Sequence, residues 1–321
     1  MRILFNIIFS AILAIGLVGF WALFLNLWKP KKKWPAWVGY IIIIGAWFAA
    51  IRYYILNQVD LYGTMYYPLM NMFRTESYGF LFGVFLAIPV FIILSLLYWT
   101  INKIWSKTPE ENRTGRRAFF RTAATIVPLA TIGGSSYAAF AGQQELVVTH
   151  ESFGYTNLPP GLKNYKIVQL SDIHIGPSID LDDFDEILKL ALLQKPNRVV
   201  ITGDLIDKLA WLPQVCERLT TFAKQIPDGV DFILGNHEYH HDVNKVLDAL
   251  KRNTPMNILV NSNIQIMGGK QPVYIAGVAY DNDRKKDNRE AMINKALSGI
   301  PDYAFVILLA HHPEFFEESI E

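Results

Sequence analysis

The stretch Lys166–His174, KIVQLSDIH, decides the fold of the second half of this 321-residue chain. Its apolar, β-branched run stops abruptly at polar residues, which is typical of a strand buried on both faces. Three later stretches have the same form. They are RVVITGD (Arg198–Asp204), DFILGNHE (Asp231–Glu238) and FVILLAHH (Phe305–His312).

The segments between the first three runs have helical patterns. Residues 178–196 and 212–226 carry apolar residues at helical spacing, and the first of these segments stops before Pro196. The acidic cluster at Asp180–Glu186 predicts a helix start, where negative charge meets the positive end of the helix dipole. Alternating strands and helices predict an α/β domain, in which ligands gather at the carboxyl ends of the strands.

The polar residues at the four strand ends have the chemistry of metal ligands. Oxygen and nitrogen donors without thiolates suit Mn²⁺, Fe, Zn²⁺ or Mg²⁺. The single cysteine, Cys216, excludes both an internal disulfide and a multi-cysteine zinc site. A carboxylate can bridge two metals, which then clamp a phosphoryl group and activate water. The candidate ligands are Asp172, His174, Asp204, Asn236 and His311.

In this order, SDIH, GDLID, GNHE and LLAHHP resemble the signature of the calcineurin-like metallophosphoesterases. More narrowly, they resemble the bacterial membrane-anchored branch, which often has a twin-arginine-type leader. The resemblance covers about residues 146–321 and implies a β-sandwich of mixed sheets flanked by helices. It also implies two divalent metal ions. Asp172 and His174 would bind the first metal, Asp204 would bridge both, and Asn236 and His311 would bind the second.

The same resemblance implies roles for residues next to the ligands. His237 would stabilise the transition state or protonate the leaving oxygen. Asp207 and Glu238 fall inside motifs and are expected to support the ligands or line the pocket. His312 is expected to be a bystander beside His311. The pair His240–His241 could contact substrate or face solvent, and we expect solvent.

The chain departs from the family pattern at its end. The family closes with a Gly-His-x-His loop that completes both metals, whereas this sequence contains no such motif and ends ten residues after His311. Either a longer enzyme is truncated here, or a natural short form has lost catalysis. We expect truncation, because the five ligands and His237 are intact, and we expect weaker metal retention and lower stability as a result.

The first 121 residues are predicted to form three transmembrane helices with basic cytoplasmic loops. Each of three segments is long and apolar enough to cross a bilayer, and aromatic residues crowd their ends. The lipid bilayer is therefore an expected partner. The segments are Ile3–Trp28, Trp37–Leu56 and Tyr78–Ile101.

Residues 122–144 form a weaker fourth segment between the membrane part and the domain at 145–321. Its apolar part, Thr122–Ala141, follows the sequence GRRAFFR at Gly115–Arg121. An arginine pair before a mildly apolar stretch resembles a twin-arginine export signal. An ordinary stop-transfer helix with basic flanks explains the pattern equally well. Both interpretations put the domain on the same side of the membrane.

The charge distribution predicts the orientation. Residues 1–121 hold 13 Lys and Arg against 4 Asp and Glu, whereas the remainder holds 17 against 25. The first and third loops are basic and should be cytoplasmic, while the middle loop offers only Arg74. Four crossings then leave the domain on the extracytoplasmic side of a bacterial inner membrane.

Together, these features predict a membrane-anchored, dinuclear-metal phosphoesterase. Its substrate would contain a phosphodiester, phosphomonoester or pyrophosphate bond in a phosphorylated small molecule, a lipid or an envelope polymer. The alternatives are a catalytically impaired truncated form and a non-catalytic protein that binds a phosphorylated ligand. A transport role for the membrane half is disfavoured, because no charged residue lies in the middle of a predicted span. No nucleic-acid motif, Gly-rich phosphate loop or Ser-His-Asp arrangement is present.

Overall fold

The chain divides into two compact units, residues 1–145 and residues 146–321. The computed structural model describes three single residues in the first part of the chain and five continuous ranges. The predicted spans Ile3–Trp28 and Trp37–Leu56 lie outside the described residues except at those three positions. The described residues are Gly45, Phe48, Arg52, 62–104, 110–141, 146–176, 179–281 and 286–316.

Within its described residues, the first unit contains two long helices, α1 (Tyr67–Ile104) and α2 (Glu110–Ala141). Helix α1 has 38 residues and is roughly 57 Å long. It contains the predicted span Tyr78–Ile101 but begins 11 residues earlier. Among the described helices, only α1 is long and apolar enough to cross a membrane.

Helix α2 starts before the predicted fourth segment. The sequence GRRAFFR, expected to flank that segment, is itself helical, and the helix runs on from it to Ala141 without a break. The two helices pack closely where Gly79 meets Ser135, whose hydroxyl donates to the Gly79 carbonyl oxygen at 2.7 Å. A Cβ at Gly83 would lie 2.5 Å from the Cα of Ile132, so only glycine allows this approach.

The second unit is built on a parallel sheet of four strands in the order β1-β2-β3-β4. Its first three strands are those that the sequence predicted. The expectation of mixed sheets is wrong for this sheet, because all of its strand pairs are parallel. The strands are parallel because each connection contains a helix that carries the chain back across the sheet, so that the next strand begins at the same end. The strands are β1 (Ile167–Leu170), β2 (Arg198–Thr202), β3 (Val230–Ile233) and β4 (Asn257–Ile258), and the helices are α3 (Leu181–Leu193), α4 (Leu212–Ala223), α5 (Asn236–His240) and α6 (Val243–Asn253).

The acidic cluster does start helix α3, as predicted. The Asp180 side chain accepts hydrogen bonds from the backbone N–H groups of Asp182 and Asp183, at 2.9 and 3.0 Å. The Asp183 side chain accepts in turn from the Asp180 N–H at 2.9 Å. This reciprocal capping satisfies backbone donors that have no partner inside the helix.

The second sheet has three strands in the order β5-β6-β7 and is mixed, as expected. Strand β6 is antiparallel to β5 and parallel to β7, and helix α7 makes the crossover between β6 and β7. The fourth predicted strand, Phe305–His312, is confirmed as β7. These elements are β5 (Ser262–Met267), β6 (Val273–Gly277), α7 (Lys286–Leu297) and β7 (Phe305–Leu309).

The two sheets face each other across one apolar core. Val200 and Ile233 from the parallel sheet pack with Ile275 and Leu309 from the mixed sheet. A Cβ at Gly277 would lie 2.6 Å from a side-chain carbon of Ile233, so the sheets are in close contact. The expected sandwich is therefore present, with helices outside it.

A buried ion pair holds the parallel sheet together at the beginning of its strands. The guanidinium of Arg198 in β2 contacts both carboxylate oxygens of Asp231 in β3, at 3.0 and 2.8 Å. Asn257 in β4 donates to the same carboxylate at 2.8 Å. Polar side chains thus link three strands at their amino-terminal ends, whereas the predicted ligands lie at the carboxyl ends.

Candidate metal centre

The predicted ligands of the parallel sheet all lie just after strand ends. Asp172 and His174 follow β1, Asp204 follows β2 and Asn236 follows β3. Because these strands are parallel and adjacent, their carboxyl ends meet at one edge of the sheet. The fold therefore gathers four side chains from three loops.

His311 joins them from the second sheet. Its Nδ1 donates to the carbonyl oxygen of Thr202 at 2.7 Å, because a carbonyl can only accept. In the neutral ring, Nε2 then carries a lone pair. That atom lies 3.1 Å from Asn236 Oδ1 and 3.6 Å from Asp204 Oδ2. With the ring in this form, three acceptor atoms converge, and a cation would satisfy all three.

Asp204 lies at the centre of the ligand group. Its side chain is buried, and its Oδ2 lies 3.6 Å from Nε2 of His174 as well as 3.6 Å from Nε2 of His311. Two atoms that share a metal at about 2.1 Å each are separated by about 3–3.5 Å, so both spacings are close to those of shared ligands. Asp172, His174 and Asp204 also form a compact group with ligand atoms within 4.8 Å of one another.

The backbone at three of these ligands adopts the left-handed conformation. Asp172, His174 and Asp204 have φ values of 54°, 53° and 53°. Such positions cost of order 1 kcal/mol or more for residues other than glycine and cluster at functional sites. Backbone hydrogen bonds hold them, since the Asp172 N–H donates to Gly203 O at 3.2 Å and the His174 N–H to Asp204 O at 2.9 Å. The side chains are therefore aimed by a constrained backbone.

Glu238 ties two of the ligand loops together. It is fully buried and accepts from the backbone N–H groups of Asp204, Leu205 and Gly235, at 3.0, 2.8 and 2.8 Å. The remaining carboxylate oxygen of Asp204, Oδ1, accepts from the His237 N–H at 2.8 Å. The backbone N–H of His237, after β3, thus fixes the orientation of the Asp204 carboxylate, after β2.

Two glycines make this approach possible. A Cβ at Gly235 would lie 2.2 Å from Asp204 Oδ1, and one at Gly203 would lie 2.5 Å from the Gly235 nitrogen. Gly203 also has a φ of 92°, which other residues rarely adopt. The glycines of the GD and GNHE motifs are therefore needed for close backbone contact at the site.

Asp207 lies beside the ligands and contacts three imidazole rings. Its Oδ1 is 2.7 Å from His237 Nδ1, 3.4 Å from His174 Nδ1 and 3.4 Å from His241 Nε2. Burial alone would raise the pKa of Asp207, but hydrogen bonds from His174 and His237 outweigh it and hold that pKa well below its ordinary value. The hydrogen bond to Asp207 raises the pKa of His174, against the opposing effect of burial.

The sequence analysis was wrong about one residue near the site and missed another. His241 was expected in solvent, but its side chain is only 9% exposed and contacts Asp207, whereas His240 is exposed as expected. Tyr280 follows β6, and its ring centre lies 6.3 Å from those of both His311 and His312. The apolar run VYIAGVAY (273–280) was the available signal for Tyr280, since it resembles the other strand patterns.

A two-sheet α/β domain with carboxylate, imidazole and amide acceptors at one edge is the architecture of a metal-dependent hydrolytic domain. Residues 165–319 match the family model described as calcineurin-like phosphoesterase. This part of the second unit is therefore similar to calcineurin-like phosphoesterases, and the similarity supports a metal-dependent phosphoester hydrolase.

Curated relatives carry corresponding names. An uncharacterised metallophosphoesterase of Campylobacter jejuni is 29% identical over 226 residues, which cover 70% of this chain and 56% of the relative. One from Aquifex aeolicus is 31% identical over 170 residues, or 51% of this chain and 61% of the relative. A Bos taurus transmembrane protein with metallophosphoesterase domain is 29% identical over 243 residues, or 68% and 49%. The chain thus spans about half to three fifths of the length of these relatives.

Proposed function

We propose that this chain is a membrane-anchored phosphoesterase that uses two divalent metal ions and acts outside the cytoplasm. The observation that carries the proposal is the position of Asp204 Oδ2, at 3.6 Å from Nε2 of both His174 and His311. One carboxylate oxygen that lies near two imidazole nitrogens suits a bridge between two cations.

The two metal positions follow from the side chains around that bridge. Asp172 and His174 share the first position with Asp204, and their ligand atoms form one compact group. Asn236 and His311 share the second, supported by the 3.1 Å approach of their acceptor atoms. The asparagine supplies an oxygen without adding charge to a site that already holds two carboxylates. Mn²⁺, Fe, Zn²⁺ and Mg²⁺ all suit such donors.

The chemistry follows from these positions. When bound, the two metals would activate a water molecule for in-line attack and neutralise the phosphoryl oxygens. His237 is oriented by its Nδ1, which donates to Asp207 at 2.7 Å. Its Nε2 then faces the site, 4.0 Å from Asp204 Oδ2. From there His237 protonates the leaving oxygen or stabilises its developing charge.

The substrate we propose is a phosphodiester, phosphomonoester or pyrophosphate close to the lipid surface. A lipid headgroup and an envelope polymer both meet this description. The proposal is supported by helix α1, which is long and apolar enough to cross a bilayer. It is also supported by relatives from Bos taurus and Danio rerio that are named transmembrane proteins with a metallophosphoesterase domain.

Hydrolysis of bis-p-nitrophenyl phosphate tests the enzymatic proposal. The purified full chain in detergent should release p-nitrophenol with Mn²⁺, and the release should stop when the metal is chelated.

Asn236→Ala should lower the rate by at least about 100-fold, because it removes an oxygen of the second metal position. Asn244→Ala, at an exposed position on α6, is the matched control and should leave the rate unchanged. Equal rates for wild type and Asn236→Ala would refute the proposed metal site. Bound Mn²⁺ without turnover would favour a ligand-binding role.

Reporter fusions test the proposed orientation. A reporter joined at residue 150 should be active only outside the cytoplasm, because the basic first and third loops favour the cytoplasmic side. A fusion in the first loop, after Lys33, is the control and should report the cytoplasm. A cytoplasmic signal from the fusion at residue 150 would contradict the proposed location of the domain.

A further inference from the structure

His241 is held against the metal centre by contacts that its position in the sequence does not suggest. Its side chain is 9% exposed, and its Nε2 lies 3.4 Å from Asp207 Oδ1. The neighbouring His240 has the same side chain but is exposed. The two adjacent histidines therefore have different environments, and within the described part of the chain His241, not His240, contacts the Asp207 carboxylate.

Backbone and side-chain contacts link His237, His241 and Asp207 to one another in a closed loop. The His241 N–H donates to the His237 carbonyl oxygen at 3.1 Å. The His241 ring contacts Asp207 Oδ1, and that same oxygen accepts from His237 Nδ1 at 2.7 Å. His237 is thus connected to His241 directly at its backbone and through Asp207 at its ring, and the two ring centres lie 6.1 Å apart.

The carboxylate of Asp207 depends on its imidazole partners for its orientation. The Asp207 N–H donates to Ile175 O at 2.9 Å, which fixes the backbone but leaves the side chain free to rotate. Its side chain is 26% exposed, so water can compete for it. His241 occupies one side of the carboxylate oxygen, and His174 contacts the same oxygen at 3.4 Å. Removal of His241 would open that side to water.

We propose that His241 is a positioning residue that holds Asp207, so that Asp207 keeps the His237 ring oriented with Nε2 toward the leaving group. The inference rests on the proposed function, in which His237 assists the leaving oxygen. A carboxylate that loses one of three partners samples more rotamers, and the His237 ring then loses its fixed donor contact. His241 acts through Asp207, beside which its ring centre lies 6.1 Å from that of His237, and it does not contact the reacting atoms.

The dependence of the rate on the leaving group distinguishes positioning from general stability. A p-nitrophenolate leaves without a proton, whereas an unsubstituted phenolate, with a pKa near that of tyrosine at about 10, benefits from an acid. With the full chain and Mn²⁺, His241→Leu should lower kcat for diphenyl phosphate about 10–100-fold and kcat for bis-p-nitrophenyl phosphate by less than about 3-fold. KM for both substrates and the bound metal content should not change.

Two variants provide the controls. His241→Gln keeps an N–H group that can reach Asp207 and should restore most of the diphenyl phosphate rate. His240→Leu removes an exposed ring whose centre lies 5.4 Å from that of His237 and thus controls for the loss of ring contact alone; it should change neither rate by more than about 2-fold. An equal loss on both substrates with His241→Leu, or a loss that follows the metal content, would overturn the proposal.

A readout without turnover separates this inference from the proposed function. In full chain labelled with ¹⁵N-histidine, the nitrogen shifts of His237 should show hydrogen on Nδ1 in wild type and in His240→Leu. In His241→Leu they should show a mixture of the two tautomers. If wild type hydrolyses neither ester but His241→Leu shows the mixture of His237 tautomers, the positioning role of His241 is supported and the proposed function is wrong. If both esters are hydrolysed and the His237 tautomer is unchanged in His241→Leu, positioning fails.

Discussion

Glu238→Ala is expected to lower the free energy of unfolding of the second unit by about 3–6 kcal/mol. The carboxylate is fully buried and accepts three backbone hydrogen bonds, from Asp204, Leu205 and Gly235. Alanine would leave all three donors buried without an acceptor, and each such donor costs about 1–3 kcal/mol. Because two of these donors lie within the GDLID motif, the same change also releases the Asp204 carboxylate.

Pulse proteolysis of the full chain in detergent, across a urea series, measures this loss. The midpoint for cleavage of the second unit should fall strongly in Glu238→Ala. Glu238→Gln should have an intermediate midpoint, because one amide oxygen can replace Oε2 while the amide nitrogen opposes the Leu205 N–H. Glu217→Ala, at an exposed position on α4, is the matched control. A midpoint for Glu238→Ala equal to that of Glu217→Ala would show that Glu238 does not hold these loops.

Gly235→Ala is expected to reduce metal affinity by about 100-fold or more. The added Cβ would lie 2.2 Å from Asp204 Oδ1 and 2.6 Å from the Asp204 nitrogen, which is closer than real Cβ contacts allow. The second neighbour is backbone and cannot rotate away, so the carboxylate at the centre of the site must shift. The phosphoesterase rate should fall with the affinity, since Asp204 contributes to both metal positions in our proposal.

Metal titration of the full chain, followed by the Mn²⁺ retained after gel filtration, measures this change. Gly154→Ala is the matched control, because a Cβ there would meet nothing within 4 Å. Its metal retention should equal that of wild type. If Gly235→Ala retained Mn²⁺ as wild type does, the close approach of the two loops would not be needed for the site.

Several parts of the second unit were predictable because their causes are local. The four runs predicted as strands are strands, since short β-branched stretches without polar interruptions form strands in most contexts. The start of α3 was predictable because its cap involves Asp180 and Asp183, only three residues apart. The gathering of Asp172, His174, Asp204 and Asn236 followed from the rule that parallel strands end at one edge.

Other parts could not be predicted, because they depend on contacts between distant segments. The direction of β4 and its place beside β3 come from packing, and the sequence analysis predicted no strand there. His241 looked exposed in sequence, but the loop containing Asp207 closes over it from 34 residues away. Tyr280 reaches the site only because β6 lies parallel to β7, a pairing that no local pattern encodes.

The sequence by itself determined the kinds of donor atoms and the order in which they occur along the chain. It also determined the strands that end at them, because side-chain chemistry and short-range periodicity are properties of neighbouring residues. Only the tertiary structure decided that Asp204 Oδ2 faces both His174 and His311, that Glu238 fixes its backbone and that Asp207 contacts three rings. These features require two sheets and three loops to pack within hydrogen-bond distance, and such distances are set by the core between the sheets.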